Sequence, residues 1–224
     1  MTVLIHPRAW PIWDLFFPPL CRVCGHAMDP EDLLFCDQCW ADAPVADAHD
    51  LRPLKYVDMV RAGFRFGGDD VVRSAVHALK FDGMKLVSRS MAQHLIARLP
   101  TRFVEADLVW TTVPLHWFRR AFRGFNQSDM LGCELAGVTG HAAPVPLLRR
   151  IRHTPSQTAQ SYRVRAANVR DAFTVIAKNK LPEAVLIIDD VITTGATVDE
   201  CAKALKEKGV KWVGVLAFAL THRS

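Results

Sequence analysis

The chain is built around Val185-Leu186-Ile187-Ile188-Asp189-Asp190-Val191-Ile192-Thr193-Thr194-Gly195-Ala196-Thr197. Four leading apolar residues are typical of a strand buried on both faces, as in a parallel sheet. Two adjacent carboxylates follow this strand, and a turn rich in hydroxyls comes next. Thr197 and Glu200 have the spacing of a capping box, which predicts that a helix begins there.

The turn between this strand and helix is a predicted anion site. Free backbone N–H groups and the positive end of the helix dipole would face it. In open α/β sheets, ligands bind beyond the carboxyl ends of the strands, where the turn would lie. A phosphate held there, next to hydroxyls or a Mg²⁺ at Asp189 and Asp190, fits this geometry. The sequence contains neither G-x-x-x-x-G-K-[ST] nor G-x-G-x-x-G, so a P-loop or dinucleotide fingerprint is excluded.

The remaining pattern predicts an α/β fold, in which a mainly parallel sheet is flanked by helices. A chain of 224 residues, half of them hydrophobic, is long enough for one such domain and a small additional module. The predicted strands cover 61–66, 107–113, 145–148, 172–176, 185–188 and 213–220. The predicted helices cover 71–81 and 86–99, with others beginning near Asn126 or Ser128 and at Thr197.

Four cysteines near the N-terminus form two CxxC pairs, Cys21-x2-Cys24 and Cys36-x2-Cys39. Two such knuckles place four thiolates within tetrahedral reach of one Zn²⁺, and a full set of thiolates indicates a structural site. Disulfides are the alternative, which the twin spacing disfavours. We therefore predict a small zinc-ribbon module, with an aromatic N-terminal segment, over residues 1–50 and the α/β domain over 51–224.

Positive charge is concentrated between residues 115 and 170. This segment has nine arginines, no lysine and two acids, an excess of +7 against +5 for the whole chain. Arginine suits bidentate recognition of phosphates, although a solvated basic face is the alternative. Arg119, Arg120 and Arg123 follow a predicted strand and suit a second phosphate subsite.

Two other features of this region leave alternatives open. His116 is either a proton donor or a structural hydrogen-bonding residue. Residues 152–165 form either a mobile lid or an ordinary surface loop. No apolar run approaches the roughly 20 residues needed to cross a bilayer, and no secretory signal is evident, which predicts a cytoplasmic protein. The sequence does not indicate an oligomeric state.

The central stretch resembles the phosphoribosyl-pyrophosphate (PRPP) signature of type I phosphoribosyltransferases. Together with other motifs, nearly the whole chain resembles the ComF/GntX family, which joins a four-cysteine zinc module to a phosphoribosyltransferase-like domain. These motifs are the cysteine knuckles, Leu79-Lys80-Phe81-x-Gly83, Val113-Pro114-Leu115, Arg123-Gly124-Phe125-Asn126-Gln127, Thr154-x-x-Gln157, Arg165-x-x-Asn168 and Ala172-Phe173.

The resemblance implies a role for each part of the site. Asp189 and Asp190 would hold the ribose hydroxyls, and the turn that follows would bind the 5-phosphate. Mg²⁺ would bridge the pyrophosphate and ribose oxygens. The implied phosphate-binding residues are Thr193, Thr194, Gly195, Ala196 and Thr197, and those at the pyrophosphate are Pro114, Leu115, His116, Lys80, Arg119, Arg120 and Arg123.

Two functional hypotheses follow from the resemblance. The first is a Mg²⁺-dependent enzyme that transfers phosphoribose to an unidentified acceptor and releases pyrophosphate. The second is a non-catalytic competence or DNA-uptake factor that binds single-stranded DNA, with PRPP as a regulatory ligand. The arginine-rich segment suits the second hypothesis, because positive charge and stacking rings are what single-strand binders use.

Overall fold

A computed structural model gives the structure of the protein. It describes residues 19–28, 34–47, 53–68, 70–80, 86–99, 108–115, 124–152, 169–177 and 180–221. The helices are α1 (Asp37–Ala41), α2 (Val71–Lys80), α3 (Val87–Ile96), α4 (Gln127–Thr139) and α5 (Ala196–Lys206). The strands are β1 (Met59–Phe66), β2 (Val109–Thr112), β3 (Leu148–Arg150), β4 (Phe173–Val175), β5 (Ala184–Ile192) and β6 (Trp212–Thr221).

The central sheet has four parallel strands in the order β1-β6-β5-β2. β3 and β4 form a separate antiparallel pair. Helices flank the central sheet, which confirms the predicted α/β class with its mainly parallel sheet. The central strand β5 is longer than the predicted 185–188, because its ladder with β6 continues through Ile192 opposite Leu220. The two aspartates therefore lie within the strand and not after it.

The strand predicted over 145–148 is displaced to Leu148–Arg150. The preceding residues cover the outer edge of β2 instead. The N–H of Val145 donates to the carbonyl of Trp110 at 2.7 Å, and the N–H of Leu147 donates to the hydroxyl of Thr111 at 3.3 Å. Hydrogen bonds to β2 thus outweigh the β propensity of this segment.

Alternation along β5 divides the core into two layers. Leu186 and Ile188 face the cluster that contains α2, α3 and α4. Val185 and Ile187 face the cluster that contains α5. This pattern of a strand apolar on both sides matches what the four-residue apolar run predicts.

The cysteine-bearing segment belongs to the first of these layers. Trp40 is only 2% exposed, and its ring lies 5.6 Å from that of Phe64 and 6.0 Å from that of Phe218. The guanidinium of Arg98 donates to the Trp40 carbonyl at 2.6 Å. The N-terminal segment and the α/β domain therefore share one core. The domain boundary between 50 and 51 stays a prediction, because residues 48–52 lie outside the described ranges.

Close packing of α4 on the sheet gives a test of this arrangement. A Cβ added at Gly132 would lie 2.8 Å from the ring of Pro144, whereas one at Gly137 on the same helix would meet nothing within 4 Å. We expect Gly132→Ala to destabilise the protein by about 1–3 kcal/mol through overpacking. Gly137→Ala should stabilise it by about 0.5–1 kcal/mol through helix propensity. Urea unfolding measures both, and equal effects of the two substitutions would contradict the packing described here.

Candidate functional site at the carboxyl edge

Asp189 and Asp190 lie on β5 near its carboxyl end, and each is 8% exposed. Neighbouring residues of a strand point to opposite faces, so the two carboxylates meet different partners. Buried carboxylates require such partners, since an isolated buried charge is costly. The partners define the site.

Asp189 is held by α4 and by its own backbone. Its Oδ1 accepts a hydrogen bond from the Ser128 hydroxyl at 3.0 Å and another from the Asp190 N–H at 2.9 Å. Burial, reinforced by the neighbouring Asp190 charge, raises the pKa of Asp189 to about 8. A carboxyl with this pKa is protonated at neutral pH, and donors brought by a ligand would favour its ionised form.

Asp190 forms an ion pair with the last residue of α2. The Lys80 ammonium lies 2.5 Å from Asp190 Oδ2, and both side chains are largely buried. The Lys80 predicted to face the site is thus brought directly to it. A lysine beside a carboxylate at this edge can also neutralise phosphate oxygens that approach from solvent.

The turn from β5 to α5 places its backbone N–H groups toward this edge. Gly195 has φ 77° and is the N-cap residue of α5, which begins at Ala196. A left-handed conformation of this kind favours glycine. The N–H groups of a first helical turn have no carbonyl partner within the helix, so they can bind an anion. The predicted phosphate turn, Thr193 to Thr197, therefore lies at a helix N-terminus.

The predicted capping box was wrong. In the part of the chain that the structure describes, no side chain caps α5, and Thr197 is already the second residue of the helix. Glu200 instead accepts a hydrogen bond from the N–H of Asp171 at 2.9 Å. The helix starts earlier than predicted because the left-handed Gly195 provides the turn.

The loop after β2 is fixed by polar contacts at the start of α4. The N–H of Val113 donates to the carbonyl of Ile188 at 3.0 Å, which places Pro114 and Leu115 beside the end of β5. The Asn126 amide donates to the Val113 carbonyl at 3.0 Å and to Asp129 Oδ1 at 2.8 Å. These contacts fix both backbone polar groups of Val113, directly before Pro114 and Leu115.

The four cysteines converge as their spacing predicts. Their sulfur atoms all lie within 4.8 Å of one another. Cys21 Sγ is 3.8 Å from Cys39 Sγ, and Cys24 Sγ is 3.6 Å from Cys36 Sγ. A tetrahedral zinc site with Zn–S bonds of about 2.3 Å has sulfurs about 3.8 Å apart. The geometry therefore fits a structural metal such as zinc.

The thiols differ in their readiness to ionise. Burial raises the pKa of Cys21, but hydrogen bonds from the backbone of Cys24, Cys36 and Val23 outweigh it and lower that pKa to about 6. Burial and the neighbouring sulfurs raise the pKa of Cys39. Four thiolates would repel one another without a cation, which a Zn²⁺ ion supplies.

Comparison with known proteins supports the resemblance. No family model matches the chain. Competence protein F of Haemophilus influenzae is 32% identical over 150 residues, which are 64% of this chain and 66% of that protein. DNA utilization protein YhgH of Salmonella typhi is 37% identical over 155 residues, 65% of this chain and 66% of that protein. The chain belongs to the ComF family.

A third ComF relative aligns over a longer range. Competence protein ComFC of Streptococcus pneumoniae is 28% identical over 190 residues, which are 84% of this chain and 76% of that protein. With the first two relatives, the aligned part covers just under two thirds of their length. Helices long and apolar enough to span a bilayer do not occur among the described residues of this ComF chain.

Several predicted site residues lie outside the described part of this ComF chain. They are His116, Arg119, Arg120 and Arg123. Residues 153–165, which are most of the segment predicted to be either a lid or a surface loop, are likewise not described. The predictions for these residues stand untested, whereas Asp189, Asp190, Lys80, Pro114, Leu115 and the turn from Thr193 to Thr197 are brought to one edge.

Sequence reasoning missed two polar residues at the start of α4. Ser128 holds Asp189, and Gln127 is 3% exposed with an amide nitrogen that has no hydrogen-bond partner among the described residues. A buried donor of this kind is unusual. For Gln127 a signal was present in the sequence, because Asn126 and Gln127 end one of the family motifs, but a motif does not state which atoms its residues contact.

Proposed function

We propose that this ComF-family chain is a DNA-handling protein of competence or DNA utilisation that binds PRPP with Mg²⁺ at its carboxyl edge. The observation that carries the PRPP part is the convergence of Asp189, Asp190 and Lys80 on a helix N-terminus that begins after Gly195. Two carboxylates beside an anion site match a sugar with vicinal hydroxyls and a phosphate. The names of the relatives support the DNA part.

In this proposal each end of PRPP meets a different element. Asp189 and Asp190 accept hydrogen bonds from the ribose hydroxyls, and residues 193–197 bind the 5-phosphate. The pyrophosphate lies toward Pro114 and Leu115, with His116, Lys80 and the arginines at 119, 120 and 123 around it. Mg²⁺ enters as the PRPP complex, because Asp189 and Asp190 already contact protein groups.

Isothermal titration of Mg²⁺–PRPP into the zinc-loaded protein tests the first part. We expect binding, because the edge offers acceptors for the hydroxyls and donors for the phosphate. Ribose 5-phosphate with Mg²⁺ is the matched control and should bind more weakly, since it lacks the pyrophosphate. If neither compound binds, the PRPP part of the proposal is wrong.

The second part, DNA binding, is supported by a cluster of arginines around β3. Arg149 and Arg150 lie on β3, and Arg152 and Arg170 lie close to it, with Arg152 donating to the Arg170 carbonyl at 3.4 Å. Arg150 also lies over the Phe173 ring at 5.5 Å. Titration of a fluorescent oligothymidylate at several salt concentrations tests this part. Affinity should fall as salt rises, and absent or salt-independent binding would reject it.

Transfer of phosphoribose to an acceptor is the second candidate function. The enclosed Asp189, with its raised pKa, is the feature that favours it, because perturbed carboxyls cluster at reactive sites. Loss of pyrophosphate from PRPP builds positive charge on the sugar, which a nearby carboxylate would stabilise. A screen for PRPP-dependent pyrophosphate release across nucleobases and amines tests it. If pyrophosphate is released no faster with the protein than in buffer, whichever acceptor is added, the transfer hypothesis is wrong and only PRPP binding is left.

A further inference from the structure

The last residue of β6 lies beside the phosphate turn, residues 193–197. The hydroxyl of Thr221 donates a hydrogen bond to the Thr193 carbonyl at 3.1 Å, and the Ile192 carbonyl lies 3.5 Å from the same hydroxyl oxygen. The ladder between β5 and β6 ends one residue earlier, with Ile192 opposite Leu220. A side chain therefore continues the contact between the two strands where their backbone ladder has ended.

This contact sets the orientation of the first peptide group of the turn. In a trans peptide the C=O and the N–H point in opposite directions. The strands β6 and β2 lie on opposite sides of β5. Because the Thr193 carbonyl is directed toward β6, the N–H of Thr194 is directed toward the side of β2, where Pro114 and Leu115 follow. That is the side on which the proposed function places PRPP.

The far end of the phosphate turn is fixed by the helix that follows it. The N–H of Asp199 donates to the Gly195 carbonyl at 2.9 Å, which closes the first turn of α5. The Asp199 carboxylate accepts a hydrogen bond from the N–H of Tyr56 at 2.7 Å, so this acid is engaged by a segment outside the helix. The helix thus holds the end of the phosphate turn, and Thr221 holds its beginning at Thr193.

We propose that Thr221 is a positioning residue, whose hydroxyl orients the start of the phosphate turn so that its N–H groups receive the phosphate monoester of the ligand. Thr221 acts through the Thr193 carbonyl and not through a contact with the ligand. Such a contact matters because binding groups must be held within about 0.5 Å of their productive geometry. This inference rests on the PRPP part of the proposed function.

The test removes the hydroxyl and keeps the shape of the side chain. Thr221→Val retains the β-branch that suits a strand, and Thr221→Ser restores a hydroxyl. Thr139→Val is the matched control, because the hydroxyl of Thr139 also donates to a carbonyl, that of Leu135, at 2.8 Å. Thr139 is the last residue of α4, about 18 Å along the helix from the end that contacts Asp189. Each valine variant therefore loses one hydroxyl–carbonyl hydrogen bond, at different distances from the site.

Titration calorimetry of the zinc-loaded protein measures the affinity for Mg²⁺–PRPP, ribose 5-phosphate and Mg²⁺–pyrophosphate. We expect Thr221→Val to weaken the first two ligands by the same factor of about 5, which is typical of the loss of one hydrogen bond. Affinity for Mg²⁺–pyrophosphate should change about 2-fold or less, since distant groups act independently. Thr221→Ser should restore both lost affinities. Thr139→Val should lower the stability in urea as much as Thr221→Val does, with all three affinities unchanged.

Three results would overturn the inference and leave the proposed function standing. They are equal PRPP affinities of Thr221→Val and Thr139→Val, an equal loss of pyrophosphate affinity in Thr221→Val, and a failure of Thr221→Ser to restore binding. A native protein that binds Mg²⁺–PRPP without competition from ribose 5-phosphate would also contradict it, because the phosphate turn would then hold no phosphate. If the native protein does not bind Mg²⁺–PRPP, the PRPP part of the proposed function is wrong and this inference fails with it.

Discussion

Replacing Asp189 and Asp190 together with asparagine is expected to abolish binding of Mg²⁺–PRPP, lowering its affinity by about 100-fold or more. Each carboxylate would lose charge-assisted hydrogen bonds to the ribose hydroxyls, worth about 1.5–3 kcal/mol apiece. A change of about 1.4 kcal/mol is tenfold in affinity, so two such losses reach this size. Isothermal titration measures the effect, and asparagine keeps the shape of each side chain.

The control for this double variant is Asp171→Asn. Asp171 is exposed and pairs with Lys203 on the surface of α5. Its replacement should leave PRPP affinity unchanged within about 2-fold, because an exposed ion pair contributes little. Native affinity in the Asp189→Asn, Asp190→Asn double variant would show that the carboxyl edge is not the PRPP site.

The raised pKa of Asp189 gives the same site a pH signature. At pH 7 the group is mostly protonated, since its pKa is about 8. Ribose hydroxyls donate to the ionised form, so PRPP affinity should rise between pH 7 and 9. The second ionisation of a phosphate lies near 6, outside this window. Asp189→Asn alone should remove the rise, whereas Ser128→Ala should move it to higher pH, because it removes a hydrogen bond that favours the carboxylate.

The free protein should show the opposite dependence in its stability. In the unfolded chain Asp189 would titrate near 3.9, well below its folded pKa. The folded state then holds a proton that the unfolded state has lost between about pH 4 and 8. Stability from this group therefore falls as pH rises through that window, and PRPP binding should offset the fall.

The central strand and its helix were predictable because the apolar run at 185–188 is typical of a strand buried on both faces. The full length of the strand was not, because Asp189 and Asp190 are polar and only the β6 ladder keeps them in the strand. The local sequence indicates which secondary structure each residue favours. It does not indicate which neighbouring strand will form hydrogen bonds with that residue.

The contacts of the site show the same limit. Lys80 was expected near the ligand on the strength of a family motif, but its ion pair with Asp190 joins elements more than 100 residues apart. Ser128 gave no signal of its own, since a serine at the start of a helix is common. Only the packing of α4 on β5 brings its hydroxyl to Asp189.

The cysteine cluster was predictable in full, because four thiols at CxxC spacing have one favoured arrangement around a tetrahedral ion. Loss of that ion is expected to unfold much more than the knuckles. Cys21 and Phe35 are almost completely buried in the same core as Trp40 and Phe64. The described residues of the N-terminal segment therefore pack into the core of the α/β domain, and we expect the two to unfold together.

We expect the native protein to bind one zinc ion and Cys36→Ser to bind none. We expect the variant to melt in one transition at a temperature lower by 10 °C or more, roughly the shift expected for the loss of about 5 kcal/mol. Structural zinc sites bind with apparent free energies of about 10–16 kcal/mol in isolated peptides, so a loss of this size is realistic. Cys133→Ser is the matched control, since Cys133 is an exposed thiol on α4 outside the cluster. Metal analysis and scanning calorimetry measure the two effects.

Zinc retention by Cys36→Ser, or melting indistinguishable from that of Cys133→Ser, would show that the cluster is not a structural metal site. A local transition with the main melting temperature unchanged would instead show that the shared core does not couple the N-terminal segment to the α/β domain.

The pH dependence of zinc affinity provides a second test of the cysteine site. The pKa values of Cys36 and Cys39 are raised, so metal binding must displace protons from both thiols. Apparent zinc affinity should therefore fall as pH decreases from 8 to 6, because protons compete for the sulfurs that hold the ion.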